Sequence, residues 1–338
     1  MTCNVLVLMR VLLTGGAGFI GHHLLEHLWK NTDWEIVVLD RLDSAGNLNR
    51  ITDIESFEVN RHRLKVVYHN LRAEINSSVA RNIGKIDIIL HLAAASHVNR
   101  SITDPMSFVE DNVVGTVNLL QYARGLDNLS TFVNFSTDEV FGPAPTGVAF
   151  KEDDRYNSGN PYAASKAAAE EFCVAFHNTY GLPVINTHTM NVFGERQDPE
   201  KFVPMTIRNI LLGKEVIIHS DHTKTKSSSR YYIHARNVAA AVLYILKHGC
   251  RAGEKYNIAG EREVSNFEIA QFIAKTLGKS VTIRMLAPHE HDRPGVDMRY
   301  ALDDTKMKDL GWKIPMGLEE SLASTIRWTR DNASKWLF

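Results

Sequence analysis

Tyr162 and Lys166 stand four residues apart in NPYAASKAAAE (160–170). A helix places positions i and i+4 on one face. An ammonium beside a phenol favours phenolate and lowers the phenol's pKa. A phenolate can take the proton of a sugar hydroxyl as hydride leaves the carbon. Ahead of this pair, STDEVFGP (136–143) sets two hydroxyls before two adjacent carboxylates, Asp138 and Glu139. A turn at a strand end also favours Ser, Thr and Asp, so the tetrapeptide carries no function by itself. Its place after the apolar run 131–135 and before Tyr162 makes Ser136 or Thr137 a candidate partner for a reacting oxygen.

A third pattern supplies the redox partner. TGGAGFIG (14–21) puts Gly15, Gly18 and Gly21 at GxxGxxG spacing between a strand-like VLL and a helical stretch. Such glycines allow a tight turn, backbone approach to a pyrophosphate and close helix–strand packing. The helix N-terminus then offers free N–H groups to phosphate. The next strand ends in Asp40, whose carboxylate suits ribose hydroxyls and repels a 2′-phosphate. The expected cofactor is therefore NAD, with Arg41 beside Asp40 the one feature that leaves NADP open.

The elements that must position these groups follow from periodicity. Strands are expected near 11–13, 35–39, 64–67, 86–90, 131–135 and 183–188. Helices are expected near 19–30, 73–82, 105–124, 161–179, 201–212, 237–248, 266–277 and 317–331. Alternation of this kind argues for βαβ units and a parallel sheet with helices on both faces. The expected fold is α/β: a doubly wound Rossmann sheet with a smaller mixed α/β C-terminal substrate-binding domain. The division falls at 1–190 for NAD and 191–338 mainly for substrate, with the chain crossing between them. SDHTKTKSSSR (220–230) reads as a polar, mobile loop.

Composition narrows the function. The 338 residues include 38 basic and 39 acidic side chains, for a net charge of -1. No run of one sign points to nucleic acid or a membrane surface. The 15 histidines and three cysteines are scattered, without metal-ligand spacing. Widely separated thiols suit a reducing, cytoplasmic setting. Apolar runs flank Arg10 but are too short to span a bilayer. Met9, directly before Arg10, is an alternative start to Met1.

These motifs together resemble the extended short-chain dehydrogenases, and within them the nucleotide-sugar (dTDP-glucose-type) 4,6-dehydratases. TGGAGFIG, LDRLDSAGNLNRI, HLAAASHVNRSITDP, FVEDNVVGT, STDEVFG, PYAASK, NVFGERQDPEKFVP, YNIAG and DRPGVDMRYALD carry the resemblance over nearly the whole chain. The acidic pair after Thr137 is its specific signal. The resemblance implies that Tyr162, supported by Lys166 and Thr137, removes the C4 hydroxyl proton while NAD takes hydride. Glu139 then acts as base at C5, and Asp138 as acid on the C6 hydroxyl. Elimination needs one ionised and one protonated carboxyl, and two adjacent carboxyls push their pKa values apart.

It further implies that Phe19, Ile20 and Ala93 join the glycines and Asp40 around NAD. Ser96, Asn191, Glu200, Lys201, Arg230 and Asn257 hold the nucleotide sugar, and Arg293 or Arg299 meets the diphosphate. A homodimer through the helices near 105–124 and 161–179 is implied as well. The chain departs from the family at Ala95, Asn99, Phe141 and Val296, which leaves dTDP-glucose, UDP-glucose and N-acetylated sugars all open. A 4-epimerase, a dehydratase releasing an alkene and a non-catalytic NAD-binding protein are the alternatives.

Overall fold

The computed structural model describes residues 9–43, 45–249, 251–290 and 298–338. Arg293 and Val296 lie outside the described residues, as do Met1 and the cysteines other than Cys173.

Seven strands form the central sheet: β1 Arg10–Thr14, β2 Glu35–Asp40, β3 Leu64–Tyr68, β4 Ile88–His91, β5 Thr131–Thr137, β6 Val184–Thr189 and β7 Lys255–Ile258. Their order is β3-β2-β1-β4-β5-β6-β7, and every pairing is parallel. Every residue of β4, β5 and β6 is buried. Strands that are apolar on both faces need helices on both, which is what a parallel sheet requires. The direction of winding reverses between β1 and β4. A crevice opens there at the carboxyl ends of the strands.

The longer helices are α1 Phe19–Asn31, α2 Ser77–Ile83, α3 Gly115–Arg124, α4 Pro161–Tyr180, α5 Phe202–Leu211, α6 Ala235–His248, α7 Asn266–Leu277 and α8 Leu318–Asp331. Two apolar layers sandwich the sheet. Leu24, Leu25 and Leu28 of α1 pack with Val238, Val242 and Ile245 of α6 on one face. Leu119 and Leu120 of α3 join Cys173 and Phe176 of α4 on the other. A smaller core gathers α5, α7 and α8 around Ile207, Ile273 and Ile326. Both α6 and β7 belong to the sheet layer, so the chain crosses the division at residue 190 more than once.

Three expectations change. The helix expected over 105–124 runs unbroken across those residues, but its stretch Val109–Val114 is π-helical and a separate short helix, Val98–Thr103, precedes it. Asp104 starts the longer helix by accepting from Ser107 N, and Pro105 sits where a helix needs no N–H donor. Helix α2 begins at Ser77 rather than 73, because Asn76 caps it through Ser78 N and Val79 N. Segment 220–230, expected as a polar loop, holds a turn closed by its own hydrogen bonds and ends in the short strand Ser229–Arg230. The Asp221 carboxylate accepts from Thr225 N at 2.8 Å and from Lys226 N at 3.2 Å, and Ser220 pairs with Ser227.

Candidate active site

The crevice is a single cleft of about 970 Å³. Its floor is the glycine loop. Gly15 has φ +71°, a left-handed conformation that favours glycine, and a Cβ there would lie 2.7 Å from Ala93 N. A Cβ on Gly21 would lie 2.2 Å from Gly15 O, so helix α1 and its strand approach as closely as backbones allow. Phe19, Ile20 and Ala93 line the cleft beside these glycines.

Asp40 closes β2 at the cleft edge. Its carboxylate accepts from Ala17 N at 3.0 Å and Leu42 N at 2.9 Å. Both bonds fix the oxygens where ribose hydroxyls of a dinucleotide would meet them. Arg41, the residue that left NADP open, is clamped between Asp43 and Asp111, and Asp111 also binds Arg72 Nε at 2.5 Å. Those carboxylates hold the Arg41 guanidinium and raise its pKa above the ordinary value. The cradle thus fits a dinucleotide with a plain 2′-hydroxyl.

The opposite wall carries the acid–base groups. Thr137 ends β5 and caps the short helix Asp138–Phe141 by accepting from Glu139 N. The same hydroxyl donates to Asp138 Oδ1 at 3.0 Å. Asp138 is buried, and its Oδ2 has no protein partner. Burial first, and then the Glu139 charge, push the Asp138 carboxyl up to about 7. A carboxyl so placed keeps its proton near neutrality, as an acid needs. Glu139 lies nearer solvent and accepts from Asn160 Nδ2 at 3.0 Å. Ser136 Oγ is buried in the cleft without a protein partner.

Tyr162 and Lys166 share one face of α4 and line the cleft. Lys166 Nζ donates to Phe135 O at 2.6 Å. Burial brings Lys166 down to about 8. The protein groups alone do not lower the Tyr162 phenol. Burial and the Glu139 charge raise its phenol above the ordinary value, and only the Thr137 hydroxyl bond opposes them. Phe108 packs edge-on against the Tyr162 ring at 6.3 Å.

The residues expected to hold the nucleotide sugar divide. Ser96, Asn191 and Lys201 line the cleft, and Lys201 Nζ donates to Ser96 O at 3.3 Å. Glu200 turns away to His97 Nε2 at 2.8 Å and Arg100 at 3.3 Å, clasping the 198–201 segment to the helix at Val98–Thr103. Arg230 lies outside the lining, stacked over the Tyr300 ring at 4.7 Å, but its charge reaches Asp138. Arg299 is drawn outward by Glu263 at 3.0 Å and by the carbonyls of Pro145 and Val148. Asn257 does not line the cleft: it is fully buried, and its amide is engaged by His188, Phe150 O and Asp303 O.

Two residues were missed. Asn160 caps α4 through Ala163 N and reaches Glu139 with the same amide. Asn-Pro directly before a helix is a cap signal that could have found it. Asn112 binds Ala95 N at 2.8 Å, Ala95 O at 3.0 Å and Ser165 Oγ at 2.8 Å, tying the cleft wall to α4. Nothing in the local sequence marks the π-helical stretch that aims it. Among the described residues there is no metal-ligating cluster and no helix long and apolar enough to cross a membrane.

Comparison with known proteins agrees with this geometry. The family model for GDP-mannose 4,6 dehydratase matches residues 12–325. A dTDP-glucose 4,6-dehydratase of Escherichia coli is 36% identical, over 97% of this chain and 95% of the relative. The crystal structure of DesIV, a dTDP-glucose 4,6-dehydratase from Streptomyces venezuelae solved with NAD bound, superposes with a TM-score of 0.86 at 35% identity, covering 97% of this chain and 99% of DesIV. The UDP-glucose 4-epimerase of Thermus thermophilus, also solved with NAD, reaches 0.83 at 28% identity, covering 95% and 99%.

Proposed function

The chain belongs to the GDP-mannose 4,6-dehydratase family, and from that membership we propose that it is a nucleotide-sugar 4,6-dehydratase acting on dTDP-glucose with NAD. The observation that carries this reading is the buried acid beside the more exposed base: Asp138 raised to about 7, next to Glu139. A 4-epimerase needs no such pair.

Tyr162 takes the proton of the C4 hydroxyl, with Thr137 bonded to its phenol oxygen and Lys166 one turn along the helix. NAD held by the glycine loop and Asp40 would supply hydride acceptance at C4 and donation at C6, and its positive charge would favour Tyr162 phenolate. Once C4 is a ketone, the C5 proton is acidic, and Glu139 removes it. The C5–H electron pair forms the C5–C6 double bond as the C6–O bond breaks. Asp138 protonates the departing oxygen, so water leaves. Glu139 then returns its proton to C5, and the product is a 4-keto-6-deoxy sugar.

Ser96, Asn191 and Lys201 face the sugar nucleotide across the cleft from the glycine loop. Arg230 supports the site through its charge. The active form is a homodimer. Ile102, Met106, Val109 and Val114 on the 98–114 segment, and Phe172 on α4, leave an exposed apolar strip suited to a second copy. The enzyme works in the cytoplasm, where a free thiol such as Cys173 stays reduced.

The test is incubation of the purified protein with dTDP-glucose, UDP-glucose and UDP-N-acetylglucosamine separately, without added cofactor. Loss of one water from dTDP-glucose first supports the reading. Inversion at C4 with unchanged mass would replace it with an epimerase.

A further inference from the structure

Arg50 is a buried cation that the dehydration steps leave unused. It sits on the short helix Asn49–Thr52, downstream of β2, and is only 7% exposed. What remains exposed opens on the cleft, whose wall Arg50 joins beside Ala45, Gly46 and Asp198.

Three backbone segments converge on its guanidinium. Nε donates to Arg196 O at 3.0 Å, and Nη1 donates to Ala45 O at 2.6 Å and to Ala17 O at 3.3 Å. These carbonyls belong to the segment after β6, the turn after β2 and the glycine loop. The Trp336 ring lies 5.8 Å from the guanidinium carbon. Arg196 is itself held at φ +62°, a left-handed conformation that costs a non-glycine residue, and Arg50 takes its carbonyl.

None of these acceptors carries a charge. Among the described residues Arg50 forms no ion pair, and Asp198 and Asp40 reach it only through space, against the charge of Arg196. Nη2 meets no acceptor among them and is not sealed from solvent. A cation taken out of water is costly unless an anion joins it. The open donor faces a cleft that can admit one.

The position of Arg50 identifies that anion. Ala17 directly precedes Gly18, the N-cap of α1, where no side chain caps the helix and no acidic residue occupies the first turn. A helix end after such a glycine loop receives the diphosphate of a dinucleotide on its N–H groups. The Ala17 peptide is held from both sides, its N–H by Asp40 at 3.0 Å and its C=O by Arg50. The two side chains bracket the glycine loop, the carboxylate toward the ribose and the cation beside the helix end.

We propose that Arg50 is a diphosphate-binding residue of the dinucleotide site, offering the NAD phosphates a buried cation through Nη2 while its other donors tie the glycine loop to the 194–198 segment. The planar fork of arginine suits both tasks at once. The inference rests on the NAD cleft and not on the dehydratase reading.

A sugar nucleotide also carries a diphosphate, so the experiment separates the two sources. Cofactor-depleted wild type and Arg50→Met are titrated calorimetrically with ADP-ribose, adenosine and dTDP. ADP-ribose should bind the variant about 10- to 100-fold more weakly, as for one lost hydrogen bond to a charged group. Adenosine and dTDP should bind both proteins about equally. Equal losses for adenosine and ADP-ribose would leave Arg50 a tether of the loop alone, and a loss confined to dTDP would give it to the sugar nucleotide. Either result overturns the proposal. NMR of wild type with 15N-labelled arginine, the Arg50 signal assigned with Arg50→Lys, decides the matter if Arg50→Met does not fold. That signal should move with ADP-ribose and stay with adenosine, and a signal unmoved by ADP-ribose would overturn the proposal. A wild type that dehydrates no sugar nucleotide would sink the proposed function and leave these binding measurements unaffected.

Discussion

Asn160 holds Glu139. Its Nδ2 donates to Glu139 Oε2 at 3.0 Å while its Oδ1 accepts from Ala163 N and starts the helix that carries Tyr162 and Lys166. One amide therefore sets the spacing between Glu139 and Tyr162, the proposed bases at C5 and C4. Asn160→Ala should cost about 1 kcal/mol of stability for the lost cap. It should slow C5 proton removal at least tenfold through misplacement of Glu139. Calorimetry and the rate of solvent deuterium entry at C5 check the two effects separately.

Asp138 links activity to stability with opposite signs. Its folded pKa of about 7 lies above the ordinary carboxyl value, so the native state binds its proton more tightly than the unfolded chain. The associated stability is complete below about pH 4 and is lost as pH rises to about 7. Asp138→Asn cannot ionise. It should match wild type near pH 4 and exceed it near pH 8 by a few kcal/mol, at most about 4. Denaturation with urea at the two pH values tests this. The same variant should abolish water loss.

The acid role gives the pH profile its direction. Turnover requires Asp138 protonated, so kcat/KM should fall as pH rises through about 7. Asp138→Glu, if active, should retain a falling alkaline limb. A wild-type profile that rises through this range would remove Asp138 as the acid.

Cofactor choice follows from the Arg41 clamp. With Asp43 and Asp111 on its guanidinium and Asp40 beside it, the site repels a 2′-phosphate. Asp40→Ala should weaken NAD at least tenfold without admitting NADP. Adding Asp43→Asn and Asp111→Asn should free Arg41 and bring NADP binding up. Calorimetric titration of both dinucleotides measures each step.

The apolar strip on the 98–114 segment and α4 predicts dimer loss on charge insertion. Met106→Glu combined with Phe172→Glu should give a monomer by light scattering, because both side chains are exposed in the isolated chain. A dimer that survives would place the interface elsewhere.

Local patterns made much of this site legible. The glycine spacing dictates its own turn, Thr137 and the acidic pair follow a buried strand, and Tyr162 and Lys166 need only one helix. What escaped was set by partners distant in sequence. Asn257 looked free for substrate because its neighbour His188 is brought alongside only by the register of β7 on β6. Arg299 looked free for a diphosphate, but Glu263 and two carbonyls engage its Nε and Nη1 donors. The helix over 105–124 had a continuous apolar pattern. Its π-helical stretch at Val109–Val114, which no local signal marks, accompanies the bonds Asn112 makes to Ala95 and Ser165. The fold was more legible than the site walls because burial of whole strands depends on composition, whereas side-chain pairing depends on register.

The most direct measurement uses dTDP-glucose carrying deuterium at C4, in light water and without added cofactor. The account predicts a 4-keto-6-deoxy product with that deuterium at C6, formed with loss of one water. Deuterium still at C4 of an inverted sugar, or lost to solvent, would contradict it.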